Sequence, residues 1–277
     1  MRTPEELPVV VGVNGTAAGL AAARLGAREA VTRGRRLRVI NAFSDEGDFV
    51  AARRRAIALV NEAIAAARES APRVRVTGEV VDGAPVRVLL QQSRTAEVLV
   101  LGGAALAATP RLSRDSVLRQ IIARAWCPVA VVRGPRPPAG PLLAAVDGSA
   151  AAHFALRHAA AEALRRGLVL EVTHVADERD QAAGRRLLTD AIGAVPGLAE
   201  RSRSRLLIGD PGAALIRASR HARMVIVGSR GTGGLQPGSV ALQLLRGCAC
   251  PTVFVHGSTA VQDRLTGTVP STGVLAG

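Results

Sequence analysis

The 277-residue sequence predicts an α/β protein built from two copies of one doubly wound domain. The first observation is self-similarity in a fixed order. "LPVVVGVNGTAAGLAAARLGAREAVTRGRRLRVINAF" is matched later by "GPLLAAVDGSAAAHFALRHAAAEALRRGLVLEVTHVA", so Val13-Asn14-Gly15-Thr16 aligns with Val146-Asp147-Gly148-Ser149 and Gly34 with Gly167. "GEVVDGAPVRVLLQQSRTAEVLVLGG" then matches "SRLLIGDPGAALIRASRHARMVIVGS", and "RAWCPVAVV" matches "GCACPTVFV". The second observation is that short apolar strands alternate with amphipathic helices in each copy, the pattern of a parallel sheet covered on both faces. The third is that strands such as "VVVGV" and "MVIVG" are apolar throughout rather than alternating, as burial on both faces requires.

In the second copy the strands are expected near 142–146, 169–175, 203–208, 223–227 and 252–255, with helices near 150–166, 178–193, 212–221 and 239–247. Each domain is therefore read as Rossmann-like: a five-stranded parallel sheet of flavodoxin-type order with helices on both faces, of the adenine-nucleotide-binding kind only by the family resemblance given below. The expected domains span 1–134 and 141–257; "RGPRPPAGP" (133–141) reads as the linker and 258–277 as a loose tail without sustained period. The last strands, "PVAVV" (128–132) and "PTVFV" (251–255), are equivalent and too apolar to be left as open sheet edges. They are expected to pair the two domains within one chain, with a homodimer as a further possibility.

Composition excludes several classes of function. Hydrophobic residues make up 48% of the chain, which argues for packed cores. No stretch of 18 uncharged apolar residues suggests a membrane span, and "MRTPEELPVV" lacks the apolar run of a signal peptide. With only Cys127, Cys248 and Cys250 there is no disulfide framework, and a cytoplasmic location is expected. The charge of +14 would suit nucleic acid, but aromatics are 2% of residues and leave no base-stacking platform. The basic residues, all arginine, are scattered, and runs such as "ARLGAREAVTRGRRLRV" and "AARRRAIALV" read as solvated helix faces. Nucleic acid is set aside. The absence of lysine removes a Walker A lysine, a Schiff base and a kinase-type phosphate lysine.

In an open α/β sheet the ligand belongs at the carboxyl edge of the strands. There the second copy places "AAVDGS" and, after its fourth strand, "VGSRGTGGLQPGSV" (227–240). Asp147 can accept hydrogen bonds from an amine or hydroxyl; the plainer alternative is that Asp147 or Ser149 only caps the next helix. The glycine-rich loop fails as GxGxxG because Gln236 stands at the third glycine, and fails as a P-loop because Ser239-Val240 follow Gly238 without lysine. Successive small residues before a helix near Ser239 could still curl their N–H groups around an anion, as could an ordinary turn do without one.

Together "VDGS", "THV", "GDPGAALI", "VGSRGTGG…GSV" and "CPTVFV" resemble the universal stress protein family, over nearly the whole chain and as a tandem pair. The family's nucleotide signature is Gly-x2-Gly-x9-Gly-Ser/Thr; here Gly228-x2-Gly231 stands, and six residues separate Gly231 from Gly238-Ser239. The resemblance implies that Ala145, Val146, Asp147 and the backbone around Val175 meet adenosine. It implies that Gly228, Gly231, Gly238, Ser239 and Val240 meet ribose and phosphates, with Arg230 supplying a cationic contact. The first copy departs: Asn14 replaces the acid, and Gly102-x2-Ala105 is followed by nine residues and then Asp115-Ser116. Ala105 resists positive φ and Asp115 would repel phosphate, so this half is expected to be empty.

The histidines show no metal-ligand spacing, the three cysteines read as buried structural thiols, and the acids form no general acid–base pair. The expected function is thus a non-catalytic regulatory protein that binds ATP, with or without Mg, in the second domain and acts on a regulatory protein partner not named by the sequence. The alternatives are a slow ATPase on the same scaffold and a scaffold that has lost nucleotide.

Overall fold

The computed structural model describes residues 7–44, 47–103, 116–133, 139–229 and 238–256. In the first half the chain runs β1 (Val9–Gly12), α1 (Ala17–Arg33), β2 (Leu37–Phe43), α2 (Phe49–Ser70), β3 (Val76–Asp82), α3 (Pro85–Ser93), β4 (Val98–Gly102), α4 (Val117–Arg124) and β5 (Val129–Val132). The second half repeats it: β6 (Leu142–Ala145), α5 (Ala150–Arg166), β7 (Leu170–Ala176), α6 (Gln181–Gly193), β8 (Ser202–Ile208), α7 (Pro211–Ser219), β9 (Met224–Gly228), α8 (Ser239–Gly247) and β10 (Thr252–Val255). The expected elements of the second copy are present, except that the first turn of the 178–193 helix is a 3-10 turn over Glu178–Asp180. The tail 258–277 and most of the linker lie outside the described residues.

Among the described residues all ten strands form one sheet, in the order β3-β2-β1-β4-β5-β10-β9-β6-β7-β8. Each half is parallel and in the order 3-2-1-4-5, which corrects the flavodoxin-type order expected from the sequence. In a flavodoxin-type sheet the third strand is central. Here it is the outer edge, and its side chains explain why: Thr77 and Glu79 on β3, and Arg203 and Arg205 on β8, are exposed and would be stranded in a central strand. Charged residues on an outer strand also discourage pairing with another chain.

The last strands do join the halves. β5 and β10 pair antiparallel with Thr252 opposite Val131, Val253 opposite Ala130 and Phe254 opposite Val129, so two apolar edges become the fully buried middle of the sheet. A reciprocal clasp flanks the seam. Arg133, just after β5, donates a guanidinium N–H to the carbonyl of Leu245 in α8. His256, just after β10, donates Nε2–H to the carbonyl of Ile122 in α4 at 2.6 Å.

Residues alternate along each strand between two cores. Val9, Val11, Leu37 and Val39 face the side covered by α1, α2, α5 and α6, whereas Val10, Leu99, Leu101 and Val225 face α3, α4, α7 and α8. Helix α1 therefore leaves β1 on one face and α3 enters β4 on the other. The gap between β1 and β4, and between β6 and β9, is the topological switch point at the carboxyl edge.

The arginines are not all solvated, contrary to the sequence expectation. Arg33 is 4% exposed and donates to Glu29 at 3.3 Å, Glu97 at 2.9 Å and Glu162 at 2.6 Å. Its repeat counterpart Arg166 donates to Glu29 at 2.5 Å and to Glu162 at 2.9 Å, so two Glu–Arg pairs cross between the halves. The "solvated" reading failed because the i, i+4 spacing of Glu29 and Arg33 looks the same on an exposed helix face as on a seam.

Candidate functional site

Strand β6 ends at Ala145, half-buried, followed by buried Val146 and exposed Asp147. The turn after it is set by three local features. Gly148 takes φ 79°, a left-handed conformation that favours glycine. Asp147 Oδ1 accepts the Ser149 N–H at 3.0 Å, and Ser149 Oγ accepts the Ala152 N–H at 3.1 Å as the N-cap of α5. The capping alternative is thus true of Ser149, while Asp147 closes the turn with one carboxylate oxygen.

His174 on β7 was missed by the sequence reading. Its Nδ1–H donates to the carbonyl of Val146 at 2.8 Å and fixes the direction in which the chain leaves β6. Asn41, its counterpart on β2, donates to the carbonyl of Val13 at 2.9 Å in the same way. A polar residue at the same repeat position of two internal strands, Asn41 in "LRVINAF" and His174 in "LEVTHVA", was the available signal. Val175, next to His174, is half-buried on the strand that flanks β6.

The fourth strand delivers the loop to the same edge. β9 lies parallel to β6, with Leu142 opposite Met224 and Ala144 opposite Ile226. Gly228, its last residue, has a packing reason to be glycine: a Cβ there would come within 2.9 Å of the Ala151 carbonyl carbon in the first turn of α5. Gly102 meets the backbone of Ala18 in α1 in the same way, so this glycine serves the approach of strand to helix in both halves. Ser229 follows, fully buried, its Oγ without a hydrogen-bond partner among the described residues.

Arg230 and Gly231 lie outside the described residues, as do Ala105 and Asp115 of the first half. The chain is described again from Gly238, the N-cap of α8, whose N–H donates to the Ser229 carbonyl at 3.3 Å. That bond draws the two ends of the loop together. Ser239 and Val240 open the helix, and no side chain among the described residues caps it. Uncapped first-turn N–H groups carry partial positive charge and can receive an anion.

The three cysteines are buried, and burial pushes the thiols of Cys127 and Cys250 up to about 12 and that of Cys248 in the same direction. At neutral pH they are protonated packing groups, not nucleophiles.

This is a tandem doubly wound α/β protein whose candidate site lies at the switch point of its second half. The sequence model of the universal stress protein family matches residues 7–133 and again 139–256, so the chain belongs to that family. A universal stress protein of Mycobacterium tuberculosis is 31% identical over 292 aligned positions, covering 90% of this chain and 97% of that protein. Among solved structures, a universal stress protein from Archaeoglobus fulgidus superposes with a TM-score of 0.74 at 17% identity, covering 91% of this chain and 99% of that one. A universal stress protein solved in complex with cAMP aligns with 46% of this chain, at 23% identity and a TM-score of 0.41. No described helix is long and apolar enough to cross a membrane.

Proposed function

We propose that this chain is a non-catalytic regulatory protein that binds one adenine nucleotide, ATP with or without Mg, in its second domain (141–257). One observation carries the reading. Asn14 and Asp147 make the same turn, each accepting an N–H two residues on, so the turn does not require the acid. The second half therefore holds a carboxylate oxygen beyond the needs of the fold, on an exposed side chain at the switch point. A carboxylate there can accept from a ribose hydroxyl or an exocyclic amine, while the α8 amides at Ser239 and Val240 face phosphate. Family membership and the signature glycines Gly228, Gly231 and Gly238 support the same assignment, with Ala145, Val146 and Val175 as walls and Arg230 as a cationic contact.

Binding is expected to change how the halves or the loop present themselves to a protein partner. Turnover is expected to be negligible, because the chain has no lysine and its sequence shows no recognisable general acid–base pair. Calorimetric titration with Mg-ATP tests the reading: one site per chain is expected, together with phosphate release no faster than a buffer control. A stoichiometry of two would show both halves to be competent. Sustained phosphate release lost in Asp147→Ala would make the protein an ATPase, and no binding by any adenine nucleotide would leave it an empty scaffold.

A further inference from the structure

The crossed cluster at the seam is not symmetric, and what breaks the symmetry points to a second ligand. In the first half Glu97 closes it, accepting from Arg33 at 2.9 Å and from Arg35 at 2.6 Å. By the repeat, the residue equivalent to Glu97 ("TAEVLVLGG") is Arg223 ("HARMVIVGS"), and the residue equivalent to Arg33 is Arg166. Arg166 thus lacks the third carboxylate that Arg33 has, and a cation stands where that carboxylate would be. Among the described residues Arg223 enters no salt bridge, and the cluster of Glu29, Glu97 and Glu162 with Arg33, Arg35, Arg165 and Arg166 already carries one more cation than anions.

The space left open is a pocket of about 460 Å³ between the halves, at the amino-terminal edge of the sheet and so opposite the proposed nucleotide site. Arg28, Arg73, Arg166 and Arg223 line it, with Glu29 as the sole acid and already held by Arg166. Arg28 is positioned by its hydrogen bond to Ser70 Oγ at 2.7 Å. The remaining wall is mostly apolar, with Leu25, Leu142, Met224 and Pro251, and Thr32 and Ser70 as its hydroxyl groups. This size and mixture suit a small organic molecule with one anionic end.

We propose that this pocket binds a small organic anion, a carboxylate on an apolar body, whose head takes between Arg166 and Arg223 the place that the Glu97 carboxylate takes in the first half. Guanidinium pairs grip a carboxylate through parallel hydrogen bonds, and the apolar wall takes the tail. Such a ligand touches both halves across the seam and would stiffen their junction. The assignment is independent of nucleotide binding.

Octanoate is a suitable probe, titrated calorimetrically into the full chain without nucleotide, with n-octanol as its charge-free match. One octanoate per chain is expected, and octanol should bind at least about ten times more weakly. Arg223→Gln, which removes one charged pair, should weaken octanoate by about 10- to 100-fold. Arg223→Glu, which copies Glu97, should abolish binding and raise the melting temperature, because the protein then supplies its own carboxylate to Arg166. ATP affinity should be the same in both variants, which separates this result from the fate of the nucleotide reading. Failure of octanoate to saturate, equal binding of octanol, or unchanged octanoate affinity in both Arg223 variants would overturn the proposal.

Discussion

At the end of β1 the Asn14 side-chain oxygen receives both the amide of Thr16, at 3.4 Å, and its hydroxyl, at 2.7 Å. At the end of β6, Asp147 Oδ1 receives the amide of Ser149 and the side chain keeps a second carboxylate oxygen where Asn14 has an amide NH2, although Thr16 and Ser149 cap their helices alike, accepting from Gly19 and Ala152. The backbone corner is the same; what differs is how much acceptor capacity is left. The seam shows the converse. There the first half is complete, Glu97 satisfying Arg33 and Arg35, while the second presents Arg166 and Arg223 to a cavity. One half is closed where the other is open, at opposite edges of the same sheet. Duplication supplies two copies of a corner and two copies of a seam cluster. Divergence can then keep one copy for holding the fold and release the other for a ligand.

The largest way to break this comparison is at the seam. Arg33→Ala leaves Glu29, Glu97 and Glu162 without their shared cation and should destabilise by roughly 3–5 kcal/mol, about 10 °C in Tm. Arg166→Ala, at a position that is 12% exposed rather than 4%, should cost clearly less in the same thermal melt. Equal losses would mean that the two sides are energetically alike.

Next in size is the corner. Asp147→Ala should weaken adenine nucleotide by about 10- to 100-fold, the loss of one or two hydrogen bonds to a charged group. Asn14→Ala should leave calorimetric affinity unchanged, and an equal loss there would place nucleotide in the wrong half. Gly228→Ala and Gly102→Ala should each cost about 1–3 kcal/mol in urea unfolding, because the new Cβ meets helix backbone. If Gly228→Ala lowered only nucleotide affinity, its packing role would be refuted.

The smallest effect is in pH. His158, which faces Glu162, Arg33, Arg165 and Glu29, occupies the place of Leu25 in the first half. Burial holds its pKa below the usual histidine range, against the attraction of Glu162 at 3.8 Å. A folded pKa below the unfolded value means that the unfolded chain takes up the proton first, so stability falls as pH drops below about 6.5. Glu162 acts in the same sense at lower pH: Arg33 and the other cations hold its pKa below the usual carboxylate range, against burial, and its contribution is lost as it protonates. His158→Leu should recover about 1–2 kcal/mol of the stability lost between pH 7 and pH 5. Melts of the variant as acid-sensitive as those of the native chain would show that the histidine is not the cause.

How much was legible in the sequence depended on range. Ser149, Gly148 and Asp147 act on neighbours two or three residues away, so the turn that they make could be read as a motif. The Gly34 and Gly167 helix ends, at φ 65° and 60°, were equally local and helped to set the repeat. The strand order could not be read from alternation of strand and helix, which both doubly wound topologies share; the charges of Arg203 and Arg205 were the clue to an edge strand. The packing role of Gly228 depends on Ala151, and that of His174 on Val146, partners that no local pattern names.

By itself the sequence determined the class of each half, the repeat, the identity of the last strands as the junction, and the acid at Asp147 against the amide at Asn14. These follow from local propensity, from the periodicity of burial, and from comparison of two copies within one chain. Only the tertiary structure decided that Glu29, Arg33, Glu97, Glu162 and Arg166 form one buried cluster, and that Arg166 and Arg223 line a pocket whereas Glu97 is held by Arg33 and Arg35. Charges spaced for a solvated helix face are also spaced for a seam. Which of the two they become depends on the partner surface that antiparallel pairing of β5 with β10 brings against them, and residues 129 positions apart in the chain, Arg33 and Glu162, meet only through that pairing.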